Sequence, residues 1–368
     1  MQLAGRRTSG VNGWRLGRLL GLMFLLVAVA AKGTAEESGG AANTPAADRP
    51  AETPDWAKTI QPPLWSFAWV SDMHLDGSLL EYEAKAMRYI QAELKPHFVL
   101  LTGDNNAQAA PPADAQHPES VGVRQQRFLK AFLEEHLKTP YVLVTADNWV
   151  EGFDMVFGPH QYSFDCGGLH FMLLDPDRIY HGSPSGTEYE GLSVFEKATW
   201  DWIRQDLERH RQTPTIVALH EPICPPTFLD APPLRALVEH NPNVVAVLQG
   251  HLHLDMDRRC NGVAYLVAPA LGKLPAKAMK FVQVYPRGLV VRTIHYDKSG
   301  GRFEMLDRRQ VIEIAQPLRD KLSVPAGPRF SLTGYDAIPA HPIVIDPTLA
   351  ARAAELVKNA VDYLLFSK

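Results

Sequence analysis

Residues 65–74 read WSFAWVSDMH, an apolar run that ends on Asp72 and His74, two side chains able to ligate a divalent metal. The same pattern recurs at 244–253, VVAVLQGHLH, where the run ends on Gly250, His251 and His253. Between them FVLLTGD at 98–104 leads to Asp104, and TIVALH at 215–220 leads to His220. A short apolar run bounded by turn residues reads as a buried strand, and open α/β sheets place their sites just beyond the carboxyl ends of such strands. Four strand ends therefore deliver six oxygen or nitrogen ligands: Asp72, His74, Asp104, His220, His251 and His253.

Working outward, Ser78 with Glu81 forms a capping box, and Leu80, Ala84, Met87, Ile90 and Leu94 recur at helical spacing until Pro96. Strand 65–71, this helix and strand 98–102 make a βαβ unit. A second helix, about 124–137, leads through Thr139 and Pro140 into strand 141–145 and repeats it. Such repeats imply parallel strands with right-handed crossovers. The middle differs: 161–165, then Gly167-Gly168, then 169–174 reads as an antiparallel hairpin. A helix runs from near Ser193 to His210, a short one covers 234–239, and strands are expected at 263–267, 280–285 and 288–295.

The order Asp-x-His, Gly-Asp, His, Gly-His-x-His resembles the calcineurin-like metallophosphoesterases, which include purple acid phosphatases and many phosphodiesterases. The resemblance covers roughly 64–296. It implies an α/β fold, a four-layer αββα sandwich of the metallo-dependent phosphatase type with two mixed sheets flanked by helices. In that fold the 161–174 hairpin joins the second sheet, and strands 263–267, 280–285 and 288–295 close it.

The resemblance also implies two divalent ions (Mn, Fe, Zn or Co) and hydrolysis of phosphomonoesters or phosphodiesters by metal-bound hydroxide. Asp104 would bridge the ions, with Asp72, His74 and His253 completing the first, and His220, His251 and Asp147 the second. Ala107 stands where purple acid phosphatases carry a ferric tyrosine ligand, so a tyrosinate site is not expected.

One block departs from the family. Where Gly-Asn-His-Asp or Gly-Asn-His-Glu is usual, residues 146–149 read ADNW. In ungapped register Asp147 is the ligand and Asn148 replaces the histidine at the reacting centre. A one-residue shift puts Asn148 on the metal and Trp149 in the histidine position. Neither register provides a proton donor, since an amide cannot protonate a leaving group. Asp104 and Asn148 are thus the residues expected at the scissile bond, with His160 or His181 as substitute acids from nearby loops. The alternative function is a catalytically impaired metal-binding scaffold or recognition protein of the same fold. His170 and His240 lack the strand-end context and read as core or surface residues.

The ends frame this domain. Arg6, Arg7, Arg15 and Arg18 precede the apolar stretch 19–31, followed by small residues, which is the pattern of a signal peptide over residues 1–35, with an uncleaved N-terminal anchor as the alternative. Residues 36–60, rich in Ala, Glu, Pro, Gly and Thr, read as a flexible linker. The phosphoesterase domain covers 61–299, and 300–368 form a C-terminal extension. There Asp346 and Pro347 start a terminal helix striped by Leu349, Ala353, Leu356, Ala360 and Leu364.

Removing residues 1–35 deletes five positive charges and moves the formal net charge from −4 to about −9, which disfavours binding to a nucleic-acid backbone. An exported protein, periplasmic or secreted, with no membrane span after cleavage and a phosphorylated small-molecule or cell-surface substrate is expected. Three cysteines, Cys166, Cys224 and Cys260, leave at least one thiol free.

Overall fold

The computed structural model describes residues 54–58, 62–77, 80–105, 121–146, 152–178, 193–273, 277–326 and 333–338. The signal peptide, the linker apart from 54–58, Ala107, the block Asp147-Asn148-Trp149, His181 and the terminal helix lie outside these residues.

Strands β1 (Trp65–Val70), β2 (Phe98–Thr102) and β3 (Tyr141–Val144) lie side by side and parallel. They are joined through helices α1 (Leu80–Tyr89) and α2 (Val121–His136). Every residue of β1 and β2 is buried, as expected of strands covered on both faces. Along β1 the side chains divide by parity: Trp65, Phe67 and Trp69 enter a core shared with the second sheet, whereas Ala68 and Val70 meet α1 and α2. One π turn, Ile90–Leu94, ends at Lys95 in the left-handed region, just ahead of Pro96.

After α3 (Phe153–Phe157) come β4 (Tyr162–Cys166) and β5 (Leu169–Leu173), the hairpin about Gly167-Gly168, and a two-strand ribbon of β6 (Asp177–Arg178) and β7 (Ser193–Val194). Helix α4 (Lys197–Arg209) begins at Lys197 rather than near Ser193, because Ser193 and Val194 pair with β6 instead. β8 (Thr215–Ala218), α5 (Ala231–His240) and β9 (Val244–Gln249) follow, then β10 (Met256–Cys260), β11 (Val263–Val267), β12 (Ala278–Tyr285), β13 (Gly288–Asp297), β14 (Arg302–Glu313) and β15 (Thr333–Ala337).

One sheet has the order β14-β13-β12-β1-β2-β3, the other β10-β11-β9-β8-β5-β4-β15. An aromatic-rich cluster from both sheets fills the space between them; a second cluster lies between the first sheet and α1 and α2, and a third between the second sheet and α4 and α5. The layers are therefore α, β, β, α, as expected.

Strands 280–285 and 288–295 do not close the second sheet, contrary to what the resemblance implies. Only β11 joins that sheet; β12 and β13 belong to the first, with β12 antiparallel to β1 from Trp65↔Val284 to Trp69↔Lys280. The reason lies in the connection, where the backbone N–H groups of Leu271 and Gly272 donate to Ser71 and Asp72 carbonyls and carry the chain across to the open edge of β1. Both sheets also continue past residue 299, ending on β14 and β15. All three cysteines are free thiols. Among the described residues no helix is long and apolar enough to cross a membrane.

Candidate metal centre

The six strand-end side chains come from both sheets. Asp72 and His74 follow β1, Asp104 follows β2, His220 follows β8, and His251 and His253 follow β9. Asp72, Asp104 and His220 are almost completely buried. Ligand atoms of Asp72, His74 and His253 lie within 4.8 Å of one another, and so do those of Asp72, Asp104 and His220. His74 Nε2 is 3.2 Å from His253 Nε2 and 3.4 Å from Asp104 Oδ2, while the other oxygen, Asp104 Oδ1, is 3.7 Å from His220 Nε2. Asp104 thus lies between an imidazole of each cluster. His251 stands edge-on to His220, ring centroids 5.3 Å apart.

The backbone is bent to achieve this. Asp72, His74, Asp104, His251 and His253 all have positive φ, between 43° and 69°. Non-glycine residues rarely adopt that region, and such strain gathers at functional sites where surrounding structure enforces it. Cross-links do the enforcing: the Asp72 N–H donates to the Gly103 carbonyl, the His74 N–H to the Asp104 carbonyl, and the Gly250 N–H to the His220 carbonyl. Gly250 is required by proximity, since a Cβ there would lie 2.1 Å from Ser71 Oγ and 2.9 Å from Asp72 Oδ2.

Hydrogen bonds behind the site fix the orientation of its side chains. His220 Nδ1 lies 2.8 Å from the Thr102 carbonyl, which only accepts, so Nδ1 carries the proton and Nε2 faces the cluster with its lone pair. Trp69 Nε1 donates to Thr102 Oγ1 at 2.8 Å. Asp72 Oδ2 accepts from Ser71 Oγ at 2.6 Å and from the His251 N–H at 3.1 Å. Asp72 Oδ1 is 3.1 Å from His253 Nε2, yet it is buried and accepts no hydrogen bond of normal geometry.

Burial alone would raise the Asp72 pKa, but His220, then His253 and His74, outweigh it and hold the carboxyl well below the usual range. Burial depresses His74, and Lys273 adds to that against the pull of Asp72. A buried aspartate held in its ionised form among imidazoles is the donor set of a divalent transition metal, and the residues present fit one.

Ser71, Thr102 and Lys273 also belong to the site, though no motif in the sequence marks them. Ser71 and Thr102 are small polar residues at strand ends, a weak signal available in the sequence, whereas nothing local marks Lys273. Asn105, after Asp104, is 4% exposed, and its Oδ1 has no hydrogen-bond partner. Asp147 and Asn148 fall outside the described residues. Of the candidate substitute acids, His160 is held by Asp154 at 2.8 Å. His170 is a core residue, as expected, with both ring nitrogens 2.7 Å from carboxylates, Asp165 and Asp206.

Two packed mixed sheets between helices, with metal-type ligands on the ends of β1, β2, β8 and β9, settle the architecture. The chain has the calcineurin-like metallophosphoesterase fold. No protein-family profile matches it. One stretch of 116 residues is 30% identical to a 3′,5′-cyclic-nucleotide phosphodiesterase of Nostoc sp., covering 29% of this chain and 40% of that protein. The chain thus spans less than half the length of that relative.

Among solved structures, GAP50, the anchor in the inner membrane complex of Plasmodium, aligns with a TM-score of 0.50 at 12% identity over 76% of this chain and 99% of that one. A putative 5′-nucleotidase from Staphylococcus aureus aligns with a TM-score of 0.37 at 11% identity, over 80% of this chain and 58% of that one. The zinc complex of Vps29 from Entamoeba histolytica gives 0.29 at 9% identity, over 67% and 98%. The fold accounts for the placement of the six candidate ligands at strand ends.

Proposed function

We propose that this chain is an exported phosphoesterase that uses two divalent ions to hydrolyse phosphomonoesters or phosphodiesters. The observation that carries the reading is the convergence of Asp72, His74, Asp104, His220 and His253 from two sheets within reach of common ions. Asp72, His74 and His253 would hold one ion, His220, His251 and Asp147 the other, and Asp104 both. When bound, such ions polarise a phosphoryl oxygen and lower the pKa of bound water.

The protein's own groups do the rest. Asp104 presents one oxygen to each side, His220 is locked in the tautomer that leaves Nε2 available, and Lys273 adds positive charge beside His74 where an anionic ester would approach. Asn148 in the histidine position leaves no proton donor for the leaving group, so good leaving groups are favoured over alkyl esters. General acid assistance is typically worth about 10²–10⁴ in rate. The likeness to a cyclic-nucleotide phosphodiesterase makes 3′,5′-cyclic nucleotides the first diesters to try.

The test joins metal analysis of the purified protein to assays of an aryl phosphate, a bis-aryl diester and a cyclic nucleotide with Mn, Fe, Zn and Co. Two ions per chain and turnover that Asp104→Asn abolishes are expected; absence of bound metal would sink the reading. Metal binding without turnover favours the second reading, a catalytically impaired recognition protein, which the altered block Asp147-Asn148-Trp149 motivates. Export, proposed from the signal-peptide pattern, is checked by N-terminal sequencing of the mature protein after cell fractionation.

A further inference from the structure

Lys280 on β12 is 0% exposed, an unusual place for an ammonium group. It lies in the row of Val282 and Val284, which face the second sheet, so it stands between the sheets at the end of their shared core. Its three N–H donors have three acceptors: Asp255 Oδ1 at 2.6 Å, Thr293 Oγ1 at 2.9 Å and Gln310 Oε1 at 3.0 Å. Asp255 is equally occupied, for its Oδ1 also accepts from Gln310 Nε2 at 3.2 Å and its Oδ2 accepts from Thr293 Oγ1 at 2.5 Å.

Thr293 sits at the irregularity between Arg292 and Ile294 in the pairing of β13 with β14. Bulges of this kind re-aim side chains. Stability alone does not account for the network, because a buried ion pair replaced by packed apolar side chains is often no less stable.

Its connections suggest another role. Asp255 is two residues beyond His253, at the exit of the turn in which His251 and His253 are held at φ 69° and 55°. Lys280 is the cross-strand partner of Trp69 on β1, the strand that leads into Asp72 and His74. The network therefore ties together the two halves of one cluster, Asp72 and His74 from the first sheet and His253 from the second.

We propose that Lys280, Asp255, Thr293 and Gln310 form a positioning network that holds the strained His251–His253 turn against β1 and thereby sets the affinity of the ion shared by Asp72, His74 and His253. This rests on the metal reading above. The network acts through the backbone of the turn.

The experiment measures Mn²⁺ and Zn²⁺ binding to the full chain by titration calorimetry, beside the unfolding midpoint of the metal-free protein. Groups that orient ligands typically change metal affinity by about 10–100-fold when removed. Lys280→Met is expected to weaken one of the two ions by that factor and to leave the other within about threefold. Thr293→Val should weaken the same ion, and Thr293→Ser, which keeps the hydroxyl, should restore it. A network that only stabilises the fold would lower the midpoint with both affinities unchanged, and that outcome in folded Lys280→Met overturns the proposal. If Lys280→Met does not fold, equal affinities in Thr293→Val and Thr293→Ser overturn it instead. Wild-type protein that binds no metal fails the metal reading itself, a result visible before any variant is made.

Discussion

His74 Nε2 and His253 Nε2 stand 3.2 Å apart although 179 residues separate them in the chain. Two imidazole lone pairs do not approach one another without a proton or a cation between them. A divalent ion would satisfy both and also the buried Asp72 Oδ1. Metal removal should therefore destabilise the fold, because the ligand set joins two sheets. Binding at 100 times the dissociation constant stabilises by about 2.7 kcal/mol, which for a domain of this size moves the midpoint by roughly 5–10 °C. Calorimetry with and without chelator measures this; identical midpoints would mean that no tight ion is held. His253→Ala should retain only part of the effect.

Gly250 has room for no side chain. A methyl group there meets Ser71 Oγ and Asp72 Oδ2, so Gly250→Ala must break the Ser71–Asp72 contact or push the His251 turn away from β1. The expected loss is about 1–3 kcal/mol of stability, typical of overpacking, together with weaker metal binding. Urea unfolding and metal titration of the variant check both, and a wild-type profile would show that the turn has slack.

Glu83 on α1 is fully buried, and both its carboxylate oxygens lack a hydrogen-bond partner. Burial, helped by Asp76 and opposed by Lys277, pushes its pKa up to about 8. A carboxyl raised in the folded state is protonated there while the unfolded chain has ionised, so the unfolded state binds fewer protons and stability falls as pH rises. The loss should run from about 4.5, the ordinary value, to about 8. At about 1.4 kcal/mol per tenfold change in proton affinity, the effect is on the order of a few kcal/mol. Glu83→Gln should flatten this slope and be the more stable protein at pH 8; parallel urea curves for the two across pH 5–9 would refute it.

His170 is the opposite kind of buried titrating group, one with charged partners on both sides. Burial lowers its pKa, but Asp165 and Asp206 outweigh that and raise it above the ordinary histidine value. Its contribution is complete below about pH 6.5, the unfolded value, and is lost as pH rises through the folded value. His170→Gln leaves Asp206, itself fully buried, short of its partner at a cost of roughly 3 kcal/mol. The deficit relative to wild type should be largest near pH 5.5 and shrink toward pH 9, which chemical unfolding at several pH values would reveal.

The six strand-end candidates were legible because each follows an apolar strand, a local pattern. Sheet membership was less so: the alternation of residues 280–285 marks a strand but carries no information about its partner, and β12 reached β1 only through the Leu271 and Gly272 backbone contacts. Nothing in that stretch marks Lys280 as buried or Asp255 as its partner; their contact depends on two sheets meeting face to face. His170 gave no sign of its two aspartate partners, one of which, Asp206, lies 36 residues away on another element.

Sequence alone determined which side chains are available for metal chemistry and that they lie at strand ends, since strand periodicity and residue type are short-range properties. It also determined that residues 146–149 lack the family's histidine. Tertiary structure decided which candidate ligands come within reach of one another, because His74 and His253 meet only where the sheets pack. It also decided the left-handed backbone at five of the six ligands, a conformation disfavoured in isolation and held by cross-links from neighbouring strands.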